Sequence, residues 1–393
     1  MQQNPWARIG VYFSSGDVFA LHYREVLDHA GLHVQELDSL TPSDLAGVDV
    51  LLLCGYGSLG ETTVQAVQDW VFAGGALVCG GSSWGLDAVL GLSGGEQHVS
   101  NSTLGATRPS NHWPREAESV RFFGGRLKKA GVCEVLASCG DDLVGLSSRF
   151  FGRGLGTFFG VHLGQTIATM QTGLAVECDG IGPGDESARL DDGVLRAEDG
   201  IALRFEDRTT VDGAEHPFFG RAHADILKDI WIRSVLHSVD HVGAKVAIFW
   251  HWPRHANAVG CLTLDCENFE PEKVALVRRV LIMYGCRAAW LVAMPGYSID
   301  IYRSIKAWDN ELGVLFLVDN HSGWHEDKFK IQLTAMSRLA GLPGLTSVRP
   351  QDGRWRGWTS FYELCEEAGA RISLSKGGRQ PGTNGFPFGT CHP

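Results

Sequence analysis

The chain has 393 residues, 44% hydrophobic and 20% charged, enough for more than one core because single cores usually stop growing at about 250 residues. A formal charge of −11 without any basic stripe excludes a nucleic-acid partner, which would need clustered Lys and Arg. Residues 1–10 lack a secretory leader's basic flank and apolar core, and no apolar run reaches the roughly 20 residues that span a bilayer, so a cytoplasmic protein without a membrane partner is expected.

In chain order, apolar runs at 8–13, 48–53 and 76–79 alternate with helical patterns at 17–32 and 61–72. Strands that are nearly all apolar and separated by amphipathic helices predict a doubly wound α/β domain with a parallel sheet covered on both faces. Each strand runs into small residues, at Ser14-Ser15-Gly16, at Gly55-Tyr56-Gly57-Ser58 and at Gly80-Gly81-Ser82-Ser83. Sheets of this class bind ligands at such carboxyl ends. From 94 to 240 the helical rhythm fades. The runs 156–161 and 165–170 read as strands, which predicts a strand-rich insertion over about 120–215, and 179–199 reads as an exposed acidic loop. A helix around 225–236 then closes the domain, placing the boundary near 243 and the two domains at 1–243 and 244–393. The ten cysteines contain no Cys-x-x-Cys and read as reduced thiols.

The second half alternates again, with strands at 258–264, 287–292 and 312–318 around a helix at 271–284. Repetition of this unit predicts a β/α barrel with its reacting groups at the carboxyl ends of the strands. Asp265 and Glu267 leave the first of these strands together, as a metal-binding carboxylate and a proton-accepting one would. His321 and His325 follow the third, four apart as on one helical turn, where two imidazoles can grip one metal. The pairs His29/His33, His237/His241 and His251/His255 share that spacing, but only His321/His325 follows a strand exit alongside a second, acidic strand exit.

Two resemblances add to this reading. Asp49-Val-Leu-Leu-Leu-Cys-Gly followed by Trp70-Val-Phe-Ala-Gly-Gly-Ala-Leu-Val-Cys-Gly-Gly is similar to the class I glutamine amidotransferase-like superfamily over residues 8–92. That family's catalytic Cys sits at a Gly-x-Cys-x-Gly elbow, which Cys79 half fits, with Gly81 in place but Leu77 at the leading glycine. Thr263-Leu-Asp265-Cys-Glu267, then His321-Ser322-Gly323-Trp324-His325, then Val348-Arg349-Pro350 resemble, in order, the three motifs of the NodB-like polysaccharide deacetylases over residues 246–393. The second resemblance implies Asp265 as general base, Arg349 as the residue that steers it, and Glu267, His321 and His325 as ligands of a divalent metal, zinc first. Glu267 departs from the family's Asp, with Asp319 as a spare ligand. The late general-acid His is not recognisable unless it is His392, so the barrel is expected to be incomplete and truncated.

The expected function is removal of amide-linked acetyl groups from a carbohydrate or related small substrate. Trp290, Trp324, Trp355 and Trp358 could line a sugar groove or fill the core. The alternatives are a catalytically inactive carbohydrate-binding or scaffold protein and a thiol amidotransferase using Cys79.

Overall fold

The computed structural model describes residues 5–114, 119–187, 192–250, 252, 254, 256, 259–318 and 325–375. The chain divides into two compact units, one built on Met1–Gln171 and Arg221–His255, the other on Thr172–Gly220 and Ala256–Pro387. Among the described residues the expected single boundary at 243 therefore gives way to three crossings. Residues 172–220 bond to the second unit's own segments: Val176 and Gly357 exchange backbone hydrogen bonds at 2.9 Å, and Trp358 Nε1 donates to the Gly173 carbonyl at 2.9 Å. An irregular segment carries no periodicity that would reveal which core it covers.

The first unit begins as the alternation predicts: β1 (Ile9–Phe13), α1 (Leu21–His29), β2 (Gln35–Glu36), α2 (Pro42–Ala46), β3 (Val50–Cys54), α3 (Glu61–Phe72), β4 (Ala76–Gly80) and α4 (Asp87–Leu90). Strands β3 and β4 are buried along their whole length, as strands covered on both faces must be. Helix α2 starts where Thr41 and Asp44 form a reciprocal capping box and Pro42 takes the first turn. An antiparallel run follows: β5 (Leu92–His98), β6 (Ser102–Ala106), β7 (Ser119–Phe122), β8 (Arg126–Ala130), β9 (Glu134–Cys139) and β10 (Leu143–Phe151). Then come β11 (Gly154–Phe159), α5 (Leu163–Thr172) and α6 (His223–His241).

Among the described residues these strands make one eleven-stranded sheet, ordered β2-β1-β3-β4-β11-β10-β9-β6-β7 with β8 and β5 branching from β10. It is parallel from β2 to β11 and antiparallel beyond. The strand-rich segment thus occupies 92–159, not 120–215. Residues 165–170 are helical, not extended, because Leu163, Ile167 and Met170 recur at helical spacing and are all buried. Helix α6 packs on β3, β4 and β11, where Trp231 meets Tyr23 of α1 edge to face at 5.1 Å.

The second unit runs β12 (Thr263–Cys266), α7 (Pro271–Met283), β13 (Ala289–Val292), α8 (Ile299–Lys306), β14 (Glu311–Phe316), α9 (Glu326–Ala340), β15 (Ser347–Pro350), α10 (Ser360–Glu367) and β16 (Ile372–Ser373). Its five described strands lie in chain order and are all parallel. Alternate residues separate two faces. Trp290, Val292, Val314, Phe316 and Val348 share a core with Tyr302, Phe329 and Phe361 from the helices. Leu291, Ala293 and Leu315 form a small second cluster on the opposite face. Gly313 sits on that face, where a Cβ would come within 2.7 Å of Leu291 Cδ2, so no side chain fits. None of the described cysteines is bonded to another. No described helix is long and apolar enough to cross a membrane.

Candidate functional site

In the second unit the face carrying Leu291 and Leu315 also carries Thr263 and Asp265 from β12 and Arg349 from β15. In a flat sheet β12 and β15 would lie about 14 Å apart, three steps of roughly 4.8 Å. Arg349 Nη1 nevertheless donates to Asp265 Oδ1 at 2.9 Å, Nη2 to Thr263 Oγ1 at 3.1 Å, and Nε to the Leu374 carbonyl at 3.0 Å. A sheet whose first and fourth strands meet through their side chains is curved, and this face is its concave one. Arg349 is the residue whose planar fork can satisfy three separate acceptors at once. At the mouth, Gln351 Nε2 donates to Glu267 Oε2 at 3.4 Å.

Asp265, Cys266 and Glu267 line a cavity of about 310 Å³ with Phe269, Trp290 and Tyr297. Burial pushes the Cys266 thiol up to about 11, against a hydrogen bond with Tyr297, so Cys266 stays protonated at neutral pH. His325 lines a different cavity, of about 510 Å³, with Glu326, Asp327, Arg356 and Ser360. It precedes α9 with extended backbone, φ −132° and ψ 116°, so His325 itself is not in a helical conformation. His321, Asp319 and Trp324 lie outside the described residues, as does His392. Among the described residues no three His, Cys, Asp or Glu side chains group to hold a metal. Trp290 and Trp355 are core residues, 2% and 1% exposed. Trp358 is half exposed, its indole N–H tied to Gly173.

In the first unit the small-residue loops at the strand ends do gather polar groups, around a pair the sequence did not reveal. Asp17 follows β1 and His162 follows β11, and His162 Nε2 lies 2.5 Å from Asp17 Oδ2 with the two side chains 0% and 5% exposed. The Gln165 N–H donates to His162 Nδ1 at 3.0 Å, which leaves Nε2 as the protonated nitrogen and the donor to Asp17. Asp17 also accepts the N–H of Tyr56 at 2.7 Å and of Phe19 at 2.9 Å. Burial pushes the Asp17 carboxyl up, but the bonds from His162, Tyr56 and Phe19 outweigh it and hold the group below its ordinary value. The Tyr56 ring packs on His162 at 4.3 Å, and burial raises its hydroxyl to about 12.

Cys79 is a fully buried residue inside β4, and burial raises its thiol far above neutral pH. The left-handed turn at that strand's end falls on Gly81, φ 88°, which carries no nucleophile. The only sequence signal for His162 was its place just after a glycine-bounded strand, a signal that many core histidines share.

No family model and no curated protein matches the chain. Among solved structures it is similar to a β-galactosidase from Bacillus circulans, with 16% identity over 42% of this chain and 30% of that one and a TM-score of 0.33. It is also similar to a cytoplasmic protein of Salmonella typhimurium LT2, with 14% identity over 39% and 86% and a TM-score of 0.34. A third similarity is to a ThuA-like protein from Bacteroides uniformis, with 9% identity over 41% and 84% and a TM-score of 0.32. The matched part spans under a third of the β-galactosidase, and all three alignments are too loose to carry chemistry to this chain.

Proposed function

We propose that the second unit is a hydrolase of the NodB deacetylase kind, removing amide-linked acetyl groups from a carbohydrate or related small substrate. In this reading Asp265 takes the proton of the attacking water and returns it to the departing amine, while Arg349 aims Asp265. The observation that carries it is the Arg349 fork, which crosses the concave face of a curved parallel sheet to fix a partly exposed carboxylate at a strand's carboxyl end. The in-order, all-parallel strands support a β/α barrel of that family, and the parallel part of the first sheet supports an amidotransferase-like first unit.

A divalent metal, with zinc the first choice, would have to be held by Glu267, His321 and His325. The described donors do not assemble: Glu267 and His325 line different cavities. That separation favours a second reading, in which the unit binds carbohydrate without turning it over. Acetate release from N-acetylglucosamine oligomers tests both, with zinc added and with metal content measured on the same protein. On the first reading wild type releases acetate, and Asp265→Asn loses at least about a hundredfold in turnover while remaining folded. Full activity in Asp265→Asn removes Asp265 from the chemistry. Oligomer binding without acetate release leaves the carbohydrate-binding reading.

A further inference from the structure

In the first unit β5 departs from its partner β8. Ser93 pairs with Lys129 and Gln97 with Leu127, so Gly94, Gly95 and Glu96 stand opposite Lys128 alone. Bulges of this sort re-aim a side chain. With Gly94 at φ 72°, this one turns Glu96 onto the loop that follows β4. There Glu96 Oε1 accepts from the Ser83 N–H at 3.3 Å and from the Ser83 hydroxyl at 3.2 Å, and Oε2 faces Arg126 Nη1 at 3.6 Å. The Arg126 guanidinium lies 4.7 Å from the centre of the Tyr56 ring, whose backbone Asp17 fixes.

Toward Glu96 the Ser83 N–H, the Ser83 hydroxyl and the Arg126 guanidinium all present donors, which is the complement of a planar carboxylate. The donor side is rigid. Ser83 is 1% exposed, and it is held between Ser82, 0% exposed with its hydroxyl bonded to the Gly57 N–H and the Gly55 carbonyl at 3.1 Å each, and Trp84, 2% exposed with its ring against Gly57. The acceptor side is loose. Contacts of 3.2–3.6 Å are long beside the roughly 2.7–2.9 Å of a strong charge-assisted bond, and the Glu96 side chain is 28% exposed on its glycine bulge. A rigid cradle with a loosely held occupant, at the strand ends where such sheets bind ligands, is built for exchange.

We propose that Ser83 and Arg126, beside Tyr56, form a binding site for a small carboxylate ligand, and that Glu96 is an in-chain occupant which the ligand displaces. The site is independent of the hydrolase reading of the second unit.

Titration of the full chain with sodium acetate, followed by calorimetry or NMR shifts, tests it, with inorganic phosphate as comparator and circular dichroism to confirm folding. Glu96→Ala should bind acetate at least about tenfold more tightly than wild type, and Glu96→Gln, which alters the bulge least, should fall between them. Adding Arg126→Ala to either variant should remove the gain. Equal affinity in wild type and both Glu96 variants, no saturation in any variant, or phosphate bound as tightly as acetate would each overturn the proposal.

Discussion

Each unit places an aspartate at the carboxyl end of its first long parallel strand and brings a nitrogen group from far along the chain to meet it. After β1, Asp17 meets His162; on β12, Asp265 meets Arg349. The difference lies in burial. The Asp17 and His162 side chains are 5% and 0% exposed and their hydrogen-bonding atoms are engaged within the fold, whereas those of Asp265 and Arg349 are 39% and 27% exposed and meet through one carboxylate oxygen. A saturated buried pair acts as a strut that fixes the loops around it. A half-exposed pair of the same design can still meet a substrate.

That contrast breaks most directly on stability. Asp17→Ala strands the His162 ring N–H and the Tyr56 and Phe19 N–H groups without their acceptor, and a buried donor left unsatisfied costs about 1–3 kcal/mol. Asp265→Ala exposes its partner to water and should cost less than about 1 kcal/mol. Urea unfolding of both variants measures the two costs, and equal values would end the distinction between strut and site.

Acid gives the next largest effect. The buried histidines among the described residues, His112, His162 and His223, all belong to the first unit. His112 packs its ring 4.6 Å from His237 and meets Ser234 Oγ at 3.1 Å; burial first, then the neighbouring imidazole, push it down to about 4 from 6.5. An imidazole harder to protonate when folded contributes stability that is complete above its unfolded value and shrinks as pH falls toward the folded one. The first unit should therefore lose on the order of 3 kcal/mol between pH 6.5 and about 4. Hydrogen exchange should show α6 losing protection before α7 and α9, and His112→Asn should flatten that dependence. Simultaneous loss in all three helices would show that acid does not discriminate between the units.

The contrast was only partly legible in the sequence. Strands β3 and β4 and helix α3 were, because unbroken apolar runs and an amphipathic repeat leave one reading. The order of motifs also pointed to Asp265 and Arg349, which the fold brings together. Helix α5 was not legible, because Thr166, Ile167 and Thr169 favour a strand locally while the burial of Leu163, Ile167 and Met170 decides for a helix. Nor was the Asp17–His162 pair, whose partners are separated by 145 positions. Glu96 escaped notice because a glycine bulge, not strand alternation, sets its direction.

The smallest effect is the most specific to the proposed role of Arg349. Lysine at this position keeps the charge but replaces a fork that reaches Asp265, Thr263 and Leu374 with a single ammonium. If Arg349 aims the carboxylate, Arg349→Lys should lower kcat about tenfold, roughly 1.4 kcal/mol, with KM nearly unchanged, because the loss falls on the transition state. Its unfolding free energy should move by less than about 1 kcal/mol, as for other half-exposed pairs. A structural bridge alone predicts the reverse, a stability loss with kcat preserved. Measuring both on one variant therefore separates positioning from mere cross-linking of β12 to β15.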